Sequence, residues 1–204
     1  EANSISVMQN MLDQGAEVIF TTSFGYMDYT VTAATSNPND IFFHCSGYKR
    51  RANMGTYFAE FYQLYYLNGL MAGALTQTDH IGYVAAYLIP EVVRHLNAFI
   101  LGARTVNPNV TLHVRVINAW YDPTAARNAA QAMVDDDNVD ILAFTEDSYS
   151  IIEYAQEEFD LGNDIYAFSH YSPMLEFGEN VTISGQLVDW EIIYEDILSK
   201  IYSG

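Results

Sequence analysis

The chain has 204 residues, half of them apolar, enough to bury one or two modest cores. Its 26 acidic residues against 8 basic ones leave a formal charge of −18. That balance argues against binding to a nucleic-acid backbone or an anionic membrane surface, because no basic stripe exists to meet either. The single cysteine excludes an internal disulfide.

Residues 4–14 place Ile5, Met8, Met11 and Leu12 at helical spacing before Gly15, so a helix is expected there. Glu1 is not a methionine and the pattern begins at once, so the chain reads as a piece of a longer protein. Residues 17–22 (EVIFTT) and 41–45 (IFFHC) read as buried strands, and Cys45 as a core thiol. Between them a short helix over 29–36 ends at the turn Asn37-Pro38-Asn39-Asp40. Residues 46–55 hold Lys49, Arg50 and Arg51, three of the eight basic side chains, and read as a polar connection. A long aromatic-rich helix is expected over 57–75.

Residues 81–123 are the centre of the chain. A strand is expected over 81–87. A helix follows from Pro90, with Val92, Val93, Leu96, Phe99, Ile100 and Ala103 at its spacing. Residues 111–117 alternate as a strand, with Leu112, Val114 and Val116 on one face. Strand, helix, strand is the unit that builds parallel sheets, whose ligands sit at the carboxyl ends of the strands. Beyond it come a helix over 123–136, a strand over 141–145, a helix over 148–159, strands over 165–168 and 181–188, and a helix over 190–202. The class is α/β with parallel sheets. Polar breaks at 46–55 and 170–178 suggest one lobe inserted between two segments of another, with a hinged cleft at the crossings. Residues 1–50 are then part of an N-terminal lobe, 51–172 a C-terminal lobe, and 173–204 the crossing back.

Enzyme signatures are absent: there is no GxGxxG, P-loop, GxSxG or HExxH. The five histidines include no i, i+4 pair, and Asp135-Asp136-Asp137 lacks the spacing of a calcium loop. No catalysis, metal or cofactor is expected. His44 and His113 lie within strands and read as hydrogen-bonded structural groups. The signal lies at the strand ends. Phe24, Tyr26 and Asp28 follow the first strand; Trp120, Tyr121 and Asp122 follow the strand over 111–117; Glu146, Asp147 and Ser148 follow the strand over 141–145. Asp122-Pro123 also has the signature of a helix N-cap with proline at the first helical position, the preferred reading for Asp122, and Asp147 or Ser148 reads as another cap. Trp120 has no such duty and is a candidate stacking surface. Aromatics beside carboxylates suit a neutral, planar ligand with hydrogen-bond donors, such as a nucleobase or nucleoside. Aromatic walls equally suit sugars.

Four stretches carry a resemblance: VIFTTSFGYMD, GYKRRANMGTYFAEFYQLYYLNGLMAG, IGYVAAYLIPEVVRHLNAFILGAR and VNPNVTLHVRVINAWYDP. They resemble the basic-membrane-protein family of substrate-binding lipoproteins of ABC importers, several of which bind purines or purine nucleosides. The resemblance covers residues 4–202. It implies the type I periplasmic binding fold, two Rossmann-like lobes with parallel sheets, here truncated at both ends: the first strand and helix of the N-terminal lobe and the last crossing segment are missing. It also implies that Trp120 stands at the position where the base stacks, in a stretch written G-S-F-x-D in the family and Asn118-Ala119-Trp120-Tyr121-Asp122 here. Asp28 is implied as the acid that contacts the base. Where many members have G-V-D-x-D, this chain has Ser169-His170-Tyr171-Ser172-Pro173, and where they have a lysine in T-S-x-x-K it has Leu187-Val188-Asp189-Trp190. Both polar anchors of a ribose are replaced, so a free purine is expected to bind at least as tightly as its nucleoside.

The function so implied is the extracytoplasmic binding component of an ABC importer, capturing a purine base or nucleoside. Its expected ligand-binding set is Phe24, Tyr26, Asp28, Trp120, Asp122, Asp147, Tyr171, Asp189 and Trp190. Permease subunits are the expected protein partners, and a lipid anchor outside these residues the expected tie to the membrane. The alternative is a ligand-sensing receptor or regulator of the same fold that binds another small polar molecule, such as a sugar.

Overall fold

Short apolar runs bounded by turn residues become strands, and longer runs at 3.6-residue spacing become the helices that cover them. The computed structural model describes residues 3–203 and divides into two units, residues 1–59 and 60–204. The first unit holds α1 (Ser4–Asp13), β1 (Val18–Thr21), α2 (Met27–Ser36), β2 (Ile41–Cys45) and β3 (Met54–Tyr57). Its sheet has the order β1-β2-β3, paired in parallel with Val18 beside Ile41 and Phe42 beside Met54. Met8, Ile19, Ala33, Ala34, Phe42 and Met54 pack as its core. Cys45 is buried, and so is His44, whose Nδ1 lies 2.8 Å from Thr21 Oγ1.

Strand β3 departs from the sequence expectation, which placed residues 54–55 in a polar connection and Tyr57 in a helix. Met54–Tyr57 instead pairs with β2, so the division between the units falls after Ala59 rather than at residue 50. The cause is a short strand hidden behind a basic loop. Its Gly55 carries no side chain, and a Cβ there would stand 2.8 Å from the Phe43 ring.

The second unit begins with α3 (Phe61–Leu75). Then come β4 (His80–Ala85), α4 (Pro90–Val106), β5 (Thr111–Val116), α5 (Pro123–Asp137), β6 (Ile141–Thr145), α6 (Ser150–Asp160), β7 (Tyr166–Ser169), β8 (Thr182–Gly185) and α7 (Trp190–Ser203). The strands form one parallel sheet in the order β5-β4-β6-β7-β8. Strands 182–185 thus complete this sheet. The chain runs from β4 outward to β5, then crosses back to β6 on the other side of β4. That reversal makes the carboxyl ends of β4 and β6 a topological switch point, where open α/β sheets form a crevice. Val84, Leu142, Phe144, Ile151, Ile152 and Ala167 belong to the core beneath it. Helices α3 and α4 lie in near-backbone contact: a Cβ on Gly69 would stand 2.0 Å from the Phe99 carbonyl oxygen, and one on Gly102 2.1 Å from that of Tyr66.

Candidate functional site

The carboxyl edge of the second unit's sheet gathers its unusual residues into two groups. At the first, β5 ends and Asn118 takes a left-handed backbone (φ 55°), which asparagine tolerates better than most residues. That turn delivers Trp120, half-buried, against Tyr87 at the end of β4, with ring centroids 5.2 Å apart and planes at 58°. Asp122 caps α5: its carboxylate accepts from the Ala125 amide at 2.9 Å, and Pro123 opens the helix. The loop after β6 is tied to this corner, because the Asp147 amide donates to the Trp120 carbonyl at 2.7 Å.

Glu146 lies in that loop with no exposed surface. Its two carboxyl oxygens accept from the amide and the hydroxyl of Ser148, each at 2.9 Å. Burial pushes its pKa up to about 7, with Asp147 and Asp122 adding repulsion. Asp147 next to it is exposed as a residue, while burial of its carboxyl raises that pKa. The expected cap at Asp147 or Ser148 is corrected: α6 begins at Ser150 after Tyr149, whose side chain makes no capping bond, and the Ser148 hydroxyl contacts the Ser150 amide at 3.3 Å.

The second group stands at the ends of β7 and β8. Tyr171, left-handed at φ 56°, lies on the His170 ring at 3.7 Å and on Phe61 at 4.1 Å. Its hydroxyl donates to Glu91 at 3.2 Å. Trp190 approaches Phe61 at 6.2 Å. Beneath them Tyr65 stacks on His95 at 4.7 Å and meets His170 Nδ1 at 2.7 Å. Both imidazoles are buried, and burial pushes each pKa down to about 3. Asp189 is exposed, and its carboxylate accepts from the Glu191 amide at 3.2 Å, at the start of α7.

In the first unit, Phe24 and Tyr26 form a 3-10 turn directly after β1, and Asp28 lies in the first turn of α2. Asp28 is exposed and pairs with Lys49 of the loop after β2. The chain therefore brings Trp120, Asp122 and Asp147 together, places Tyr171 with Trp190 around Phe61, and sets Phe24, Tyr26 and Asp28 in the other unit. Tyr87, Glu146, His170 and Gln186 join these strand ends without having been in the expected set. Tyr87 and Glu146 stand where strand patterns end, which was the available signal; Gln186 had none.

A surface depression of about 1050 Å³ lies at the opposite end of the same sheet, lined by Thr78, Asp140, Ile141, Tyr166 and Thr182 among others. Its buried carboxylate, Asp140, is occupied by the Thr76 hydroxyl and the amides of Gln77 and Thr78, at 2.6 to 3.1 Å. That group holds the β6 start in place.

The sequence profile of the family described as "ABC transporter substrate-binding protein PnrA-like" matches residues 1–204. The chain belongs to this family. A Haloferax volcanii protein named for glucose binding by an ABC transporter is 40% identical over 204 residues, covering all of this chain and 50% of the relative. A purine-binding protein of Brucella abortus is 36% identical over 190 residues, 93% of this chain and 53% of that protein. The chain spans about half the length of the curated relatives it matches. Among solved structures, an ABC transporter solute-binding protein of Conexibacter woesei superposes with a TM-score of 0.72 at 19% identity, over all of this chain and 67% of the other. The fold is that of the type I periplasmic binding proteins.

Proposed function

We propose that this PnrA-like chain is part of the extracytoplasmic ligand-capturing component of an ABC importer, and that its ligand is a purine base or purine nucleoside. The observation that carries the reading is the Tyr87–Trp120 pair at the switch point of the second unit's sheet, beside the carboxylates of Glu146 and Asp147. A flat aromatic face supports a purine ring, and neighbouring carboxylates accept its N–H groups. The purine-binding relative at 36% identity supports the same class. In this reading residues 1–59 belong to one lobe and 60–204 to the other. Ligand would bias a hinged equilibrium toward the closed form that the permease recognises.

A second reading, a hexose, is favoured by the glucose-binding relative at 40% identity. Aromatic rings beneath sugar C–H faces and carboxylates at hydroxyls would use the same corner. Calorimetry on the full-length protein with adenine, guanine, their ribosides and glucose separates the two. Purine binding that weakens by ~1–3 kcal/mol in Trp120→Ala, the scale of base–aromatic stacking, supports the first. Glucose binding without purine binding replaces it with the second. Unchanged affinity of Trp120→Ala for every ligand bound rejects the stacking role.

A further inference from the structure

Two histidines meet on the α5 side of the second unit's sheet, away from the strand-end loops. His80 opens β4 and His113 lies in β5. The register sets Gly82 beside His113 and Thr111 beside His80, so the histidines are diagonal neighbours on one face. Gly82 brings no side chain opposite His113; a Cβ there would meet Leu142, Val139 and Met133 at 2.9 to 3.1 Å. The two rings turn to each other, with His80 Nδ1 2.8 Å from His113 Nε2 and the centroids 5.0 Å apart.

The surroundings of the pair fix where its hydrogens sit. His113 Nδ1 faces Asp137 Oδ1 at 3.4 Å, and Arg115 pairs with the other oxygen of that carboxylate. A nitrogen lone pair would be repelled there, so Nδ1 carries the hydrogen and Nε2 of the neutral ring presents a lone pair. The hydrogen between the rings then comes from His80 Nδ1. A neutral imidazole can move that hydrogen to its other nitrogen with no net loss of a proton. Both lone pairs are then turned to one point between β4 and β5.

An imidazole with a carboxylate behind its far nitrogen is the arrangement that orients histidine towards a metal ion. A tetrahedral ion at ~2.0–2.1 Å from each nitrogen holds them roughly 3.3–3.4 Å apart, so the rings need part by only about half an ångström. Asp137 ends α5, and the negative end of a helix favours a cation, as does a chain charge of −18. Both histidines are only partly buried, so water reaches the remaining coordination positions. Among the described residues no group of three His, Cys, Asp or Glu side chains is arranged for a metal. Two nitrogens and water therefore make an open, exchangeable site rather than a closed structural one.

We propose that His80 and His113 together bind a divalent ion that favours nitrogen ligands, such as zinc, with Asp137 as the positioning residue behind His113. The ion bridges β4 to the edge strand β5, the two strands that Tyr87 and Trp120 follow. Imidazole discriminates against magnesium and calcium, which prefer oxygen. The inference rests on neither solute reading. It reverses the sequence expectation of no metal: the histidines are 33 residues apart, and only the pairing of β4 with β5 brings them together.

The test titrates zinc into the full-length protein at pH 8, where imidazole is free to act as a ligand. Wild type is compared with His80→Gln, His113→Gln and Asp137→Asn by calorimetry and by Tm with and without zinc, and magnesium controls for the acidic surface. The site predicts a zinc uptake in wild type that magnesium does not block and that each histidine variant loses. Asp137→Asn should weaken that uptake by about 10–100-fold, and zinc should raise the Tm of wild type but of neither histidine variant. Should one histidine variant fail to fold, the other carries the comparison. Equal zinc uptake in wild type and a folded histidine variant overturns the proposal, since the ion is then held elsewhere. Absence of zinc uptake by wild type also overturns it and leaves the pair as a hydrogen bond between two rings.

Discussion

The backbone amide of Asp147 donates to the backbone carbonyl of Trp120 at 2.7 Å, fastening the loop after β6 to the loop after β5 across the end of β4. The bond uses no side chain. It fixes the Trp120 backbone at the carboxyl edge of the sheet independently of the surrounding side chains.

Asp122 serves the helix beneath this corner. Its carboxylate caps α5 through the Ala125 amide, so Asp122→Ala is expected to cost about 1 kcal/mol of stability in urea unfolding. Ligand affinity should remain within twofold of wild type. A large affinity loss at unchanged stability would move Asp122 from the cap to the ligand.

Glu146 gives the second unit a stability that depends on pH. Its folded pKa of about 7 lies above the ordinary 4.5, so between those values the native state binds the proton more tightly than the unfolded chain does. Stability from this group is present below about 4.5 and is lost as pH rises through 7, by up to about 1.4 kcal/mol per unit. Glu146→Gln should remove that slope, so that the variant's Tm gains on wild type from pH 5 to pH 7.5 and the gap then levels off. A gap that does not change with pH would mean that the carboxyl stays ionised throughout.

The buried histidines act in the opposite direction. His95 and His170 titrate near 3 when folded, because burial disfavours their cations, against about 6.5 when unfolded. Between these values the unfolded chain takes up protons that the native state refuses, so stability falls as pH falls from 6.5 towards 3. Proton uptake on unfolding, read from the pH dependence of urea midpoints below pH 6, should drop by about one proton in His170→Gln.

Gly102 tests whether packing or propensity governs the α3–α4 pair. Alanine is favoured over glycine within a helix by about 1 kcal/mol, yet a Cβ here would meet the Tyr66 carbonyl oxygen at 2.1 Å. Overpacking of that kind costs ~1–3 kcal/mol or more. Gly102→Ala is expected to lower the Tm, and a raised Tm would show that the helices can separate at little cost.

What the sequence made legible depended on whether the cause was local. Strands β2 and β6 were read to the residue because IFFHC and ILAFT are apolar runs closed by turn residues. The Asp122 cap was legible because Asp-Pro carries its signal in two adjacent positions. Strand β3 was not, since four residues beside three basic ones show no period, and only pairing with β2 makes them a strand. The Asp28–Lys49 pair joins residues 21 apart and could not be read from either neighbourhood. Gln186 is the extreme case. Its residue type suggests the surface, and only the tertiary fold places it inside, directly after β8.

The switch point between β4 and β6 separates the core of the second unit from the loops to which the proposed function assigns a solute. Core residues come from the strands and the helix faces, while the strand-end residues arrive on separate short loops at 86–89, 117–122, 146–149, 170–174 and 186–189. The loops after β5 and β6 are tied to each other through the Asp147 amide and the Trp120 carbonyl, so a change in one bears on the other. Relatives named for glucose and for purines are 40% and 36% identical to this chain, so a similar degree of likeness goes with differently named solutes.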